Sequence, residues 1–338
     1  MGHRLLLSEG DMSDCSRRKF LVDGVSCAAH LALAASLAPA ATRALWAQGR
    51  GGRVVATEPF GRLEEVANGV WALISTPLTG ERTTVCNGGV IAGRTGVVAI
   101  EGFMTPEGAR WLGERSRALT GRWPTHAVIS HYHADHSNGV AGYRDGDRLP
   151  VVHATAESRQ AALARNLPVD EARRAALSGG VAPDESAAWT IDLGDRQVQL
   201  VRRRGHTASD VSVEIDEPSV VFTGDLVWNA MFPNYVDATP SALAQASQAL
   251  RRARTTTYVP GHGPVATDAD VGRYLAMLGE VERAARAAHA RGTPAAEAGG
   301  AFTLSPSLGE WALFNKVFFE RAFAAWYREL GGDDGGTR

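Results

Sequence analysis

His131-Tyr132-His133-Ala134-Asp135-His136 places three imidazoles and a carboxylate within six consecutive positions. The stretch follows a short apolar run, Ala127 to Ser130, and precedes Ser137-Asn138-Gly139, so it reads as a loop at the exit of a β-strand. Residues two apart on an extended chain point the same way. His131 and His133 can therefore reach one cation, while the turn carries Asp135 and His136 toward a second. Imidazole nitrogen with carboxylate oxygen suits zinc, two per chain, with iron or manganese as the alternatives. Without a cation, burying so many titratable groups would be costly.

Such a cluster needs further donors, and the chain supplies them in like settings. Gly205-His206-Thr207, Thr223-Gly224-Asp225 and Pro260-Gly261-His262-Gly263 each stand just past a strand-like run. The expected arrangement gives one cation to His131, His133 and His206, the other to Asp135, His136 and His262, and sets Asp225 between them. Two divalent cations about 3.5–4 Å apart bring the pKa of a shared water near 7, which supplies a nucleophile without Ser or Cys. Asp135 has the best position to orient that water. Close behind Asp225 come Trp228, Asn229, Met231, Phe232, Asn234 and Tyr235. The apolar members are candidates for a substrate wall, and Asn229, Asn234 and Tyr235 are candidate donors to a developing oxyanion. His126 and His153 are expected in packing or supporting roles, His289 in solvent on a polar helix, and Cys86 as a small buried residue.

Outward from these motifs, strand-like runs occupy Val70 to Ser75, Gly89 to Ala92 and Gly96 to Ile100. Thr105-Pro106-Glu107 then opens a helix to about Leu119. A second alternation follows: a helix over 156–166, strands over 189–193, 197–202, 211–215 and 220–223, and a helix from Ser241 to about Arg254. Two similar halves predict an α/β (α+β) domain with sheets inside and helices outside. Between Ser307 and Leu330 apolar residues recur at helical spacing, which predicts one amphipathic helix. Packing against its own domain is favoured there over a homodimer contact. The Gly/Asp-rich residues 331–338 are expected to be disordered.

Acidic residues number 37 against 35 basic ones. That balance provides no electropositive field for nucleic acid, and no basic tract or phosphate-binding Gly/Lys loop offsets it. Of three cysteines, Cys15 and Cys27 lie near the N-terminus, so no disulfide framework is expected. Ser16-Arg17-Arg18-Lys19-Phe20-Leu21 opens an apolar run from Val22 to Leu37 that ends in Ala38-Pro39-Ala40-Ala41. The run is too short for a membrane span and is interrupted by Asp23 and His30. Residues 1–47 therefore read as a twin-arginine signal peptide and linker, residues 53–330 as one domain, and the destination as periplasmic or secreted, with no permanent membrane anchor after cleavage.

In their order and spacing, His-x-His-x-Asp-His, Gly-His-Thr, Thr-Gly-Asp and Pro-Gly-His-Gly resemble the successive metal motifs of the metallo-β-lactamase superfamily, over roughly Leu63 to Leu278. The resemblance implies a four-layer αββα sandwich with the metals at one edge between the sheets. It also implies hydrolysis of a small-molecule thioester, lactone, ester or β-lactam carbonyl. Asp225 stands where the best-known zinc β-lactamases have Cys or Ser, which is closer to the glyoxalase II and quinoprotein-relay type. Glu101-Gly102-Phe103 stands where many members have an acidic-Thr/Ser-Gly turn, so any supporting job of that acid falls to the longer Glu. The alternatives are a mononuclear-iron oxygenase of the persulfide dioxygenase kind and a non-catalytic periplasmic metal-binding protein.

Overall fold

Val70 to Ser75 is buried at every position, because Val70, Ala72 and Ile74 face one apolar layer while Trp71 and Leu73 face another. A strand covered on both faces must lie inside a layered fold. The structure is a computed structural model that describes residues 52–76, 79–181 and 187–331. The expected signal segment and the tail beyond Gly331 lie outside those residues.

The first sheet runs in sequence order: β1 (Arg53–Glu58), β2 (Gly61–Ala67), β3 (Val70–Ser75), β4 (Gly88–Ala92), β5 (Val97–Ile100), β6 (His126–Val128) and β7 (Val151–His153). Its neighbours are antiparallel up to β5, and β5, β6 and β7 are parallel. The second sheet comprises β8 (Ala188–Asp192), β9 (Gln197–Arg203), β10 (Asp210–Ile215), β11 (Val220–Trp228) and β12 (Thr257–His262). Its order is β12-β11-β10-β9-β8, and only β11 and β12 are parallel.

One apolar layer lies between the sheets, with Ile74, Ile91 and Val128 meeting Leu200, Val213 and Phe222. The outer face of the first sheet is covered by α1 (Pro106–Thr120), with α2 (Ala134–Ser137), α3 (Ala156–Arg165) and α4 (Glu171–Ser178) following along the same half. The outer face of the second is covered by α5 (Pro240–Ala249), α6 (Asp268–Ala290), α7 (Ala295–Ala301) and α8 (Val317–Glu329). The result is the expected αββα sandwich. Pro106 opens α1 and Gly121, at φ 75°, closes it. α6 starts in a capping box of Thr267 and Asp270.

The C-terminal helix is shorter than its apolar spacing predicts. Gly309 at φ 77° breaks the chain direction, and Ala312 pairs in extended form with Met231. Only from Val317 does the backbone wind into α8, after the Asn315 side chain accepts from the Val317 N–H at 3.0 Å. His289 also differs from expectation, since it lies edge-on against Tyr327 at 4.8 Å instead of standing free in solvent.

Trp326 on α8 is 1% exposed, within one continuous cluster with Met277 and Val281 of α6. Trp326→Ala should cost about 3–5 kcal/mol through the cavity it leaves. A melting point lowered by roughly 6–20 °C, independent of protein concentration, is the expected reading. A shift that depends on concentration would place this helix in a contact between subunits.

Candidate metal centre

β6 ends at Val128, and the chain passes Ser130 into the histidine stretch before the single turn of α2. His131 and His133 point to one place, and the turn swings Asp135 and His136 to another. β11 does not stop short of Asp225, as the sequence implies, but continues to Trp228 through an irregularity at Gly224, whose φ is 52°. That kink admits the Asp225 side chain between the sheets. Gly261 makes room for it, because a Cβ there would lie 1.9 Å from Asp225 Oδ1. His262 is the last residue of β12. Asn87 ties down the chain on either side of it by donating to the carbonyls of Pro260 (2.9 Å) and Gly263 (2.7 Å). The His206 loop is held by Asp210, which accepts from the His206 N–H and the Thr207 N–H at 3.1 Å and from the Thr207 hydroxyl at 2.7 Å.

Two donor groups result: His131, His133, His206 and Asp225 in one, and Asp135, His136 and His262 in the other. In the first, His133 Nδ1 lies 3.0 Å from both His131 Nε2 and His206 Nε2, and Asp225 Oδ2 lies 3.2 Å from His206 Nε2. In the second, His262 Nε2 lies 3.3 Å from Asp135 Oδ2, and His136 Nε2 lies 3.6 Å from the same oxygen. Asp225 Oδ1 reaches into this second group, 3.2 Å from His136 Nε2 and 3.4 Å from His262 Nε2. His136 Nε2 and Asp225 Oδ1 are buried, yet neither makes a hydrogen bond among the described residues. Lone pairs converging in a buried space, on imidazole nitrogens and carboxylate oxygens, fit a divalent cation.

The outward ring nitrogens fix the inward ones. His131 Nδ1 meets Ser130 Oγ at 3.0 Å, His133 Nε2 meets Asp237 Oδ2 at 3.0 Å, and His136 Nδ1 meets Glu101 Oε1 at 3.1 Å. A proton on each outward nitrogen leaves a lone pair facing the cluster. Glu101 thus takes the supporting place anticipated for it. It holds φ 73°, a left-handed conformation costing about 1–3 kcal/mol in a residue with a side chain. Its backbone is pinned there, since the N–H donates to Val128 and the carbonyl accepts from the Tyr143 hydroxyl.

Before metal binds, the two groups differ in charge. Burial, joined by the neighbouring imidazoles His136 and His133, holds His131 well below its ordinary pKa, and burial takes His206 down to about 3. Burial also opposes charge on His136 and His262. There, however, the carboxylates of Asp225, Glu101 and Asp135 hold His136 well above its usual value, and Asp225 with Asp135 raises His262 to about 9. A cation entering the second group must expel those protons, whereas His131 and His206 hold none to expel. Zinc affinity of the Asp135, His136, His262 group should therefore climb at least about tenfold per pH unit between pH 6 and 8, more steeply than that of the group holding His131 and His206. Calorimetric titration in buffers of different ionisation enthalpy measures both slopes, and equal slopes would contradict this charge assignment.

Among residues after Asp225, Trp228 touches the cluster, with its ring centroid 4.0 Å from that of His262. Asn229, Asn234 and Tyr235 do not face it. The Asn229 amide donates to the carbonyls of Pro264 and Val265, Asn234 Oδ1 accepts from the Val236 N–H, and Tyr235 is 1% exposed in the outer apolar layer. Local backbone and packing thus use the polar and apolar surfaces of these three. Met231 and Phe232 are likewise buried in that layer. His126 and His153 pair with each other at 3.0 Å, away from the donor groups, and Cys86 is buried with its thiol donating to the Asp135 carbonyl. The supporting residues Asp237 and Asn87 carry no local signal in the sequence, each being a single polar residue whose partner is brought by folding. Asp210 is different, since its partners His206 and Thr207 lie only four and three residues before it, a local turn pattern beside Gly205-His206-Thr207.

The family model of the metallo-beta-lactamase superfamily matches residues 82–262, more than half of the chain, and the chain belongs to that superfamily. A hydroxyacylglutathione hydrolase of Mesorhizobium japonicum is 25% identical over 46% of this chain and 54% of its own length. An acyl-coenzyme A thioesterase of Bos taurus is 31% identical over 31% of this chain and 42% of its own length. The chain thus spans about half the length of these curated relatives or less. Among solved structures, a stereoselective inverting sec-alkylsulfatase of Pseudomonas sp. superposes with a TM-score of 0.65 at 18% identity, over 91% of this chain and 63% of that one. A metallo-beta-lactamase of Erythrobacter litoralis gives 0.54 at 19% identity, over 67% and 99%. At these identities the likeness to both structures is one of fold.

Proposed function

We propose that the protein is an exported, zinc-dependent hydrolase that opens thioester or lactone carbonyls. The observation that carries the reading is Asp225, whose two oxygens each stand 3.2 Å from a histidine of a different donor group. One carboxylate spanning two groups favours a pair of cations over a single redox-active iron. When bound, the cations supply Lewis acidity that polarises an acyl oxygen and acidifies water.

The chain's own residues do the rest. Burial works against charge on Asp135, but His136 and His262 hold its carboxyl down to about 2, so it is an ionised acceptor able to orient a water proton. Glu101, Ser130 and Asp237 fix the imidazoles in the geometry the reaction needs. Asp225 also brings negative charge to the second group, and a less electrophilic centre there stabilises a departing lactam nitrogen poorly. The activities in the names of the curated relatives, on an acylglutathione and an acyl-coenzyme A, support the thioester side.

Chelation should abolish hydrolysis and zinc should restore it. Measured side by side, a thioester or lactone should exceed penicillin in kcat/KM by at least about tenfold, roughly 1.4 kcal/mol in barrier. A β-lactam as best substrate would overturn the ranking. Export rests on Arg17-Arg18. Changing both to Lys should retain precursor in the cytoplasm, and undiminished periplasmic yield would refute that assignment.

A further inference from the structure

The metal centre meets solvent on one side. Side chains of His131, His136, His206, Asp225 and His262 are at most 3% exposed, whereas His133 and Asp135 are each 18% exposed. A substrate must come in past those two. On the His133 side stands Arg165, the last residue of α3, with a side chain 49% exposed.

Arg165 is held there by the site's own supports. Its guanidinium lies 4.7 Å over the Tyr132 ring, Nη1 donates to the Tyr132 hydroxyl, and Nη2 donates to Asp237 Oδ1 at 3.0 Å. The other oxygen of Asp237 contacts His133 and also accepts from Tyr132. These bonds use two of the five guanidinium N–H groups. The rest lie in a plane already fixed by ring and carboxylate, half in solvent, and a planar fork of donors matches a carboxylate. Little side-chain freedom remains to be lost when an anion arrives. Asp237 engages only Nη2 of the guanidinium, and the Arg165 side chain remains 49% exposed. One imidazole and one carboxylate separate the guanidinium from the donor cluster, a gap on the order of 10 Å with hydrogen bonds of ordinary length.

We propose that Arg165 reads substrate charge at this site, selecting acyl compounds that carry a carboxylate on the order of 10 Å from the scissile carbonyl. This rests on the hydrolase reading above. The reaction centre holds the acyl group while Arg165 holds its far end, so charge selection acts on binding and orientation.

The test compares an ω-carboxyacyl thioester with its methyl ester on zinc-loaded wild type, Arg165→Gln and Arg165→Lys, with zinc content measured for each. Wild type should prefer the free acid, and Arg165→Gln should lower that preference at least about tenfold, mainly through KM of the acid. Arg165→Lys, which keeps charge without the fork, should restore part of it. Equal losses on both substrates, or loss of zinc, would reduce Arg165 to a prop for Asp237 and overturn the inference. Calorimetric titration with glutarate separates the two claims. Binding weakened by Arg165→Gln in a protein that hydrolyses neither thioester sinks only the hydrolase reading, and binding equal in both proteins sinks the inference.

Discussion

A single carboxylate, that of Asp225, is buried at 4% exposure and faces imidazole nitrogens from both donor groups. Buried charge of this kind is tolerated only when it is surrounded by opposite charge and fixed donors. Much of the local architecture can be understood as meeting that condition. Gly224 bends β11 to bring the carboxylate in, Gly261 gives up a side chain to accommodate it, and Asn87 keeps the neighbouring backbone from moving. The left-handed Glu101 adds a second anion behind His136, at a conformational cost that its backbone partners offset.

The sandwich makes this arrangement geometrically natural. β6 and β9 give way to ligand-bearing loops, β11 carries a ligand at its irregularity, and β12 ends on one. Side chains from separate strands therefore meet at one edge without any long loop having to fold over them. The apolar layers on either side keep the strands rigid, and placement on rigid elements gives the precision that a cation pair demands.

The members of the two donor groups were readable in the sequence because residue type and spacing carry the information themselves: His131, His133, Asp135 and His136 are close in the chain, and the later three follow turn glycines or short strands. The layered fold was readable from apolar alternation for the same reason. What escaped depends on contacts between distant segments. Asp237 meets His133 across 104 positions, and nothing around it in the chain signals that role. β1 went unseen because it is an exposed edge strand, and β2 because its buried stretch carries the ion pair Arg62–Glu64, whose charges interrupt the hydrophobic alternation. Helical spacing overstated the C-terminal helix, since periodicity does not register a left-handed glycine or the pairing of Ala312 with Met231. The backbone partners of Asn229 and Asn234 were likewise hidden, because a polar side chain does not reveal in the sequence which backbone group it will satisfy.

The bonds from Asn87 span 173 and 176 positions of the chain. Contacts of such separation are among the last to pay back their loop-closure entropy, so they form late in folding. The backbone on either side of His262 is therefore held by Asn87 only once both sheets have assembled, and a chain lacking β12 offers the second donor group only Asp135 and His136. Completion of that group becomes a checkpoint on complete synthesis, and a truncated or half-folded chain would be distinguishable from the finished one by its incomplete donor set.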